Sequence, residues 1–207
     1  MIFQNRVEAG KQLAEALKKY KGEDMVVYGL PRGGVVVAYQ IARELNAPLD
    51  VVITRKIGHP DNPEYAIAAV SETGEMIYNE REKAVAKGKW FEDAVEAEQK
   101  EAERRKIFLK GLKPIDPQDK IAIVVDDGVA TGLTLRLAIK ELRNKNPSKI
   151  VVAVPVIPKD VAEIIKKEAN ELVTLILPAD YLGSVGAYYH EFDQVEDVEV
   201  IRLLRLS

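Results

Sequence analysis

Five short stretches of the chain are apolar on both alternating faces: MVVYG (25–29), LDVVITR (49–55), IAIVVD (121–126), KIVVAVP (149–155) and LVTLIL (172–177). Each is rich in β-branched residues and leaves no face for water, the pattern of a strand buried between two layers of helices. Between them, GGVVVAYQIAREL (33–45), TGLTLRLAIKELR (131–143) and PKDVAEIIKKEA (158–169) repeat apolar residues at helical spacing. A further helical stretch covers about residues 5–20. Strand and helix in alternation predict parallel pairing through right-handed crossovers. The expected fold is a doubly wound, mostly parallel five-stranded α/β sheet flanked by helices.

One segment breaks the rhythm. AIAAVSETGEMIYN (66–79) reads as two strands around a Ser-Glu-Thr-Gly turn, a β-hairpin. It leads into a highly charged helical stretch (80–111) interrupted at Gly88. Mixed Glu, Lys and Arg of this kind describe a solvated helix face first, and a hood or subunit contact second. There is no internal repeat and no linker between two full domains. Residues 1–207 are therefore expected to form one domain, with a hairpin and helical insertion at about 66–111.

Composition narrows the function. With 207 residues the chain can bury a real core, and 47% hydrophobic with 30% charged residues is ordinary for a folded protein. Thirty basic against thirty-three acidic side chains give a net charge of −3. That balance argues against nucleic-acid binding, so an anionic ligand must be held by a local constellation. No cysteine is present, which excludes disulfides, thiolate catalysis and Cys-based metal sites. The N-terminus lacks the pattern of a signal peptide, and no apolar run reaches the roughly 18 residues a membrane span needs. A cytoplasmic protein is expected.

In an open parallel sheet, ligands bind beyond the carboxyl ends of the strands, where strand order reverses. Three strands here end in GLPRGGVV (29–36), TRKIGHPDNPE (54–64) and DDGVATGLT (126–134). In the last, Gly128, Ala130 and Gly132 keep the backbone uncrowded just before a helix that starts near Thr131 or Gly132. The free N–H groups of that helix favour an anion, and Thr131 and Thr134 add hydroxyls. Asp126 and Asp127 suit a polyol or a hydrated divalent cation. Phosphate on one side and a diol or metal on the other describe a ribose phosphate. An ordinary helix cap would not require two adjacent aspartates at the end of a buried strand. Arg32, Gly33 and Gly34 allow close approach to an anion, and Arg55 and Lys56 bring two more cations. There is no P-loop and no dinucleotide fingerprint, and His59 and His190 have no Ser or Cys partner at suggestive spacing.

These residues carry a resemblance. VVDDGVATGLT (124–134) closely resembles the phosphoribosyl pyrophosphate (PRPP) motif of type I phosphoribosyltransferases. LPRGG (30–34) looks like their pyrophosphate loop, and TRKIG (54–58) like their second PRPP-contacting strand end. Order and spacing agree across most of residues 25–180. APLDVVITRKIGHPDNPEYAIAAV (47–70) further resembles a subgroup of predicted phosphoribosyltransferases whose acceptor is generally unassigned. Gly128 departs from the family, which usually has an aliphatic residue or serine there.

The resemblance implies an enzyme, a glycosyltransferase of the pentosyltransferase type, using Mg²⁺. It implies that Asp126 and Asp127 hold the ribose hydroxyls, directly or through the metal. Gly128, Val129, Ala130, Thr131, Gly132 and Thr134 would wrap the 5′-phosphate. Arg32, Gly33 and Gly34 would cradle the pyrophosphate, with catalytic charge from Arg55 and Lys56. The stretch from Gly58 onward is positioned like the family's flexible loop, with His59 and Glu64 as candidates for proton transfer. A variable hood at about 177–192 would meet a nitrogenous acceptor, with Tyr181, Tyr188 and Tyr189 as candidate contacts. Those aromatics could equally close the core or a dimer interface. Many family members are homodimers, so a homodimer is expected. A PRPP or nucleotide sensor on the same fold is the alternative.

Overall fold

The computed structural model describes residues 2–108 and 113–207, the side chains of Glu64, Ile107 and Phe108 excepted. The chain runs α1 (Arg6–Ala16), β1 (Met25–Gly29), α2 (Gly33–Leu45), β2 (Leu49–Val51), β3 (Thr54–His59), β4 (Asn62–Ser71), β5 (Met76–Tyr78) and α3 (Lys89–Phe108). It continues β6 (Ile121–Val125), α4 (Leu133–Arg143), β7 (Lys149–Val156), α5 (Lys159–Glu168), β8 (Glu171–Ile176) and α6 (Asp197–Arg205). Five strands form a sheet in the order β2-β1-β6-β7-β8, and every pairing is parallel.

Strand order reverses between β1 and β6. The chain leaves β1 outward to β2, then returns to β6 and works outward the other way. Gly29 and Val125 are register partners at the ends of those two strands, and Leu30 N donates to Val125 O at 2.9 Å. The two following loops therefore leave the sheet side by side, at the point where such sheets hold ligands.

Alternating side chains point to opposite faces, and both faces are covered. Met25, Val27, Ile123 and Val125 join α1, α2 and α6 in one core, while Val26, Tyr28, Ala122 and Val124 join α4 and α5 in the other. Each fully buried aliphatic side chain contributes roughly 1.5–3 kcal/mol. A slip of one residue would exchange the two sets and move Asp126 into the core, so the apolar pattern fixes where the carboxylates emerge.

The expected continuous strand 49–55 is corrected. β2 stops at Val51, whose register partner is the last residue of β1, and Thr54 onward pairs instead with β4. An edge strand cannot continue beyond its only neighbour. The expected hairpin is thus the outer part of a three-stranded antiparallel sheet, β3-β4-β5. Leu133 and Leu137 of α4 cover one face through Ala66 and Ala69, and Phe91 of α3 covers the other against Ile57 and Ile67. The break at Gly88 is where α3 begins. The last residues of the expected 80–111 stretch lie outside the described residues. α6 is an element beyond the alternation read from the sequence.

Where α1 gives way to a 3₁₀ turn, a polar cluster ties it to the far sheet edge. Glu171 of β8 accepts from Lys19 (2.5 Å), Tyr20 (2.6 Å) and Lys149 (3.0 Å). Burial alone would raise this carboxyl, but the three hydrogen bonds outweigh it and hold it down at about 2. A depressed acid stabilises the fold above its unfolded value of about 4.3, and the contribution is lost as pH falls towards 2. Glu171→Gln is expected to cost about 1 kcal/mol at pH 7, allowing for solvent screening, and to flatten the acid limb of the stability curve between pH 4.5 and 2. Urea melts of both proteins across that range check it. Parallel acid limbs would contradict the assignment.

Candidate active site

The loop after β6 begins with Asp126 and Asp127 and ends at Gly132, the N-cap of α4. Gly132 has φ 76°, a left-handed conformation natural to glycine, and a Cβ there would lie 2.6 Å from Val161 Cγ1. No side chain caps α4, so its first-turn N–H groups remain available to an anion. Val129 N donates to Val156 O at 2.9 Å, which anchors the loop to β7. The departure at Gly128 has a steric cause, since a Cβ there would meet Val185 Cγ1 at 2.4 Å. Absence of that carbon lets the hood segment approach the loop.

The loop after β1 packs directly against the carboxylate pair. A Cβ on Gly33 would stand 1.9 Å from Asp127 Oδ2, and one on Gly34 would stand 2.9 Å from the Cα of Asp126. The two glycines at the start of α2 are thus required by the neighbouring strand end. Asp127 N donates to Asp126 Oδ1 at 2.9 Å, and Tyr189 Oη donates to the Asp127 carbonyl at 2.5 Å.

Arg6, a residue that the motifs do not announce, completes the group. Its Nε lies 2.6 Å from Asp127 Oδ2, and its guanidinium sits 3.7 Å over the ring of Phe192. Burial and the adjacent Asp127 push the Asp126 carboxyl well above the usual range. Burial raises Asp127 too, with Arg6 pulling it back. The pair is therefore an electrostatically uphill arrangement, offset in part by Arg6.

A cavity of about 460 Å³ opens over these groups. Lys56 and the loop residues Asp126, Asp127, Gly128, Val129, Ala130, Thr131, Gly132 and Thr134 line its floor. Hood residues 183–186 and Phe192 line its roof. A second cavity, of about 310 Å³, lies beside Tyr28, Asp50 and Ser71, where these three side chains are already hydrogen-bonded. Asp50 accepts from Ile115 N and Val51 N, and Ser71 Oγ donates to Glu141. The larger cavity lies beside the loop after β6 and Lys56 of β3, and Arg32, Gly33 and Gly34 are not among its lining residues.

The other expected residues fall at the margins. Arg32 heads α2 with its guanidinium 3.9 Å from both Glu196 and Asp197 at the start of α6. Arg55 is paired with Glu98 of α3 at 2.7 Å and does not line the cavity. His59 lies at the β3–β4 turn, where its Nδ1 accepts from Asp61 N at 3.1 Å. It too is outside the cavity lining. The backbone of Glu64 belongs to β4, and its side chain lies outside the described residues.

Two of the acceptor candidates are corrected. Tyr188 and Tyr189 are 3% and 7% exposed and pack with Phe3 in the core of the hood. The cause is the N-terminal segment, which the sequence patterns do not connect to the hood. Phe3 N donates to Tyr188 O, and His190 N donates to Phe3 O. Tyr181 rests against Tyr188 with ring centroids 5.6 Å apart. Its hydroxyl is buried with no hydrogen-bond partner among the described residues.

Among the described residues, no group of three or more His, Cys, Asp or Glu could hold a metal ion. A divalent cation would have Asp126 and Asp127 and would need water and ligand oxygens to complete its shell, as Mg²⁺ commonly does. The described helices include none long and apolar enough to cross a membrane.

A doubly wound sheet with a carboxylate pair and an uncapped helix start at its switch point defines an open α/β protein with a candidate site where that class holds ligands. Residues 2–189 match the phosphoribosyl transferase domain model. Proteins from two strains of Mycobacterium tuberculosis, each named "Putative phosphoribosyl transferase", are 41% identical over 209 residues, covering 98% of this chain and 46% of theirs. The chain thus spans about half the length of these curated relatives. The crystal structure of TT1426 from Thermus thermophilus shares 39% identity with a TM-score of 0.80, covering 99% of this chain and 98% of that one. The chain belongs to the phosphoribosyl transferase domain family.

The contact between Gly33 and Asp127 is directly testable. Gly33→Ala should overpack the junction and cost about 1–3 kcal/mol. Most of that loss should vanish in the Asp127→Ala background, where the opposing oxygen is gone. Thermal melts of the four proteins measure it, and a Gly33→Ala variant as stable as wild type would show that the loops are not in contact.

Proposed function

We propose that this domain binds PRPP with Mg²⁺ and transfers the phosphoribosyl group to a nitrogenous acceptor of the nucleobase class, releasing pyrophosphate. The observation that carries the reading is one cavity in which a carboxylate pair and the uncapped start of α4 stand a single loop apart. The carboxylates accept from the ribose hydroxyls, while the loop from Gly128 to Thr134 and the first N–H groups of α4 take the 5′-phosphate. The anomeric carbon then lies towards the loop after β1, where Arg32, Gly33 and Gly34 receive the pyrophosphate.

In the reaction, the bond from C1′ to the pyrophosphate oxygen breaks and a bond from the acceptor nitrogen to C1′ forms. The electron pair of the broken bond leaves with the pyrophosphate, and the acceptor gives up a proton where it carries one. Negative charge grows on the leaving group as the ribose becomes positive. Fixed cations at the pyrophosphate are therefore the main source of acceleration, and no covalent nucleophile is needed. Lys56 lines the cavity floor in a position to contribute. Mg²⁺, when bound, would supply further charge neutralisation at the same place. A homodimer is an expectation that rests on the family resemblance, and a cytoplasmic location is one that rests on the sequence pattern.

A second reading, a PRPP or nucleotide sensor without turnover, draws on one observation. Arg32 and Arg55 already have carboxylate partners, so they are not poised as bare cations.

Calorimetric titration of PRPP with Mg²⁺ tests the first reading. Wild type should bind, and Asp126→Asn/Asp127→Asn should bind at least about 100-fold more weakly, about 2.7 kcal/mol. A nucleobase screen with pyrophosphate release then separates enzyme from sensor. A wild type that ignores PRPP, or a double variant that binds equally well, would sink the assignment of the carboxylates.

A further inference from the structure

We propose that Arg6 is a positioning residue for Asp127. By this account it fixes the carboxylate that receives the ribose diol and couples it to the N-terminal segment seated in the hood. The inference rests on the PRPP reading above and assigns a role that the motifs of the family do not carry.

Three independent constraints place Arg6. Asn5 caps α1, its side chain accepting from Glu8 N at 3.1 Å, so Arg6 is the first helical residue. Glu8 Oε2 in turn accepts from Gln4 N at 2.5 Å. The segment before the cap is pinned to the hood, because Phe3 bridges Tyr189 and Glu191 N donates to Gln4 O at 2.9 Å. Finally, the guanidinium divides its donors. Nε meets Asp127 Oδ2 at 2.6 Å, while Nη1 donates to Asp193 O at 2.8 Å. One rigid fork thus spans the sugar-side carboxylate and the hood backbone, with the Phe192 ring beneath it.

Stability alone is a poor explanation of this pair. The Arg6 and Asp127 side chains are 12% and 15% exposed. Desolvating two ions to that degree offsets most of their attraction, so such a pair adds little net stability. What the geometry supplies is direction. Asp127 belongs to a loop rich in small residues, and Arg6 Nε is the donor that meets its carboxylate. Catalytic and binding groups lose efficiency with misplacements of about 1 Å. Gly33 restricts the carboxylate from one side and Arg6 from the other, a Cβ on Gly33 falling 2.7 Å from Arg6 Nε. Lysine could keep the charge but not the fork, so Arg6→Lys should behave as a partial replacement.

Titrations of PRPP with Mg²⁺ and of inorganic pyrophosphate without it test the idea on wild type, Arg6→Ala, Arg6→Lys, Asp127→Asn and Arg6→Ala/Asp127→Asn. Arg6→Ala should weaken PRPP by about 10- to 100-fold, the usual range for losing a hydrogen bond to a charged group. Pyrophosphate, which has no diol, should change less than about twofold, and Arg6→Lys should fall between. In the Asp127→Asn background the alanine substitution should add nothing, since its effect runs through that carboxylate. If Arg6→Ala fails to fold, Arg6→Met keeps the packing on Phe192 and takes its place. Equal weakening of both ligands would mean a collapsed hood, and a full additional loss on Asp127→Asn would mean an independent role. Either result overturns the proposal, as does unchanged PRPP binding. A wild type that binds no PRPP overturns the functional reading, and this inference with it. Normal wild-type binding with an indifferent Arg6→Ala removes this inference alone.

Discussion

The register of β1 against β6 is the constraint on which everything else depends. Because Gly29 stands opposite Val125, the loops that follow start at the same height on the same edge of the sheet. From there the chemistry is decided by closeness. Gly33 and Gly34 let the start of α2 sit against Asp126 and Asp127 at distances that no side chain at either glycine would permit. Any ligand that takes a diol on the carboxylates must therefore lie alongside the loop after β1, and any phosphate on α4 must lie one loop away. On the proposed reading, the relative places of sugar, 5′-phosphate and leaving group follow from a strand register that hydrophobic burial enforces.

Charge is arranged locally, in keeping with a chain whose net charge is only −3. The cations at the margin of the site are not bare. Glu98 of α3 pairs with Arg55, and Glu196 and Asp197 at the start of α6 face Arg32. Asp197 also pairs with Arg104, which shares Glu101 with Arg105. Carboxylate and phosphate oxygens make similar demands on a guanidinium. An incoming pyrophosphate would exchange one set of oxygens for another without stripping solvent from free cations. That gives the insertion helix, which reads as a solvated charged face, a physical connection to the site.

The legible parts of the fold were those set by local pattern. Strands 25–29 and 121–125 and helices α2, α4 and α5 follow from apolar period alone. The Asp126–Asp127 pair stands out because two like charges at a buried strand end need a reason. What could not be read was decided by distant partners. Nothing between Leu49 and Arg55 says that β1 ends at Gly29 and leaves the later residues to a second sheet. Tyr188 and Tyr189 look like stacking platforms until Phe3, near the other end of the chain, covers them. Asn5 and Glu8 do signal a helix start that would put Arg6 in the first turn. That Arg6 reaches a carboxylate 121 positions away is a tertiary fact, carried by the pairing of the N-terminal segment with residues 188–191.

On the proposed reading, the same pairing changes how the hood would recognise an acceptor. Phe192 is the aromatic residue that lines the cavity, yet one face of its ring carries Arg6 and it also stacks with Tyr189 at 4.9 Å. No open aromatic face is left to clamp a planar base among the described residues of the roof. The remaining roof consists of Gly183, Ser184, Val185 and Gly186, whose contribution is main-chain groups, one hydroxyl and one small apolar surface. Recognition built on backbone donors and acceptors reads the edge of a heterocycle rather than its face, and it depends on the hood being held at a fixed height. Phe3, Tyr189 and Arg6 hold it there. On the phosphoribosyltransferase reading, the N-terminal segment is therefore part of the acceptor side of the site, even though none of its residues lines the cavity.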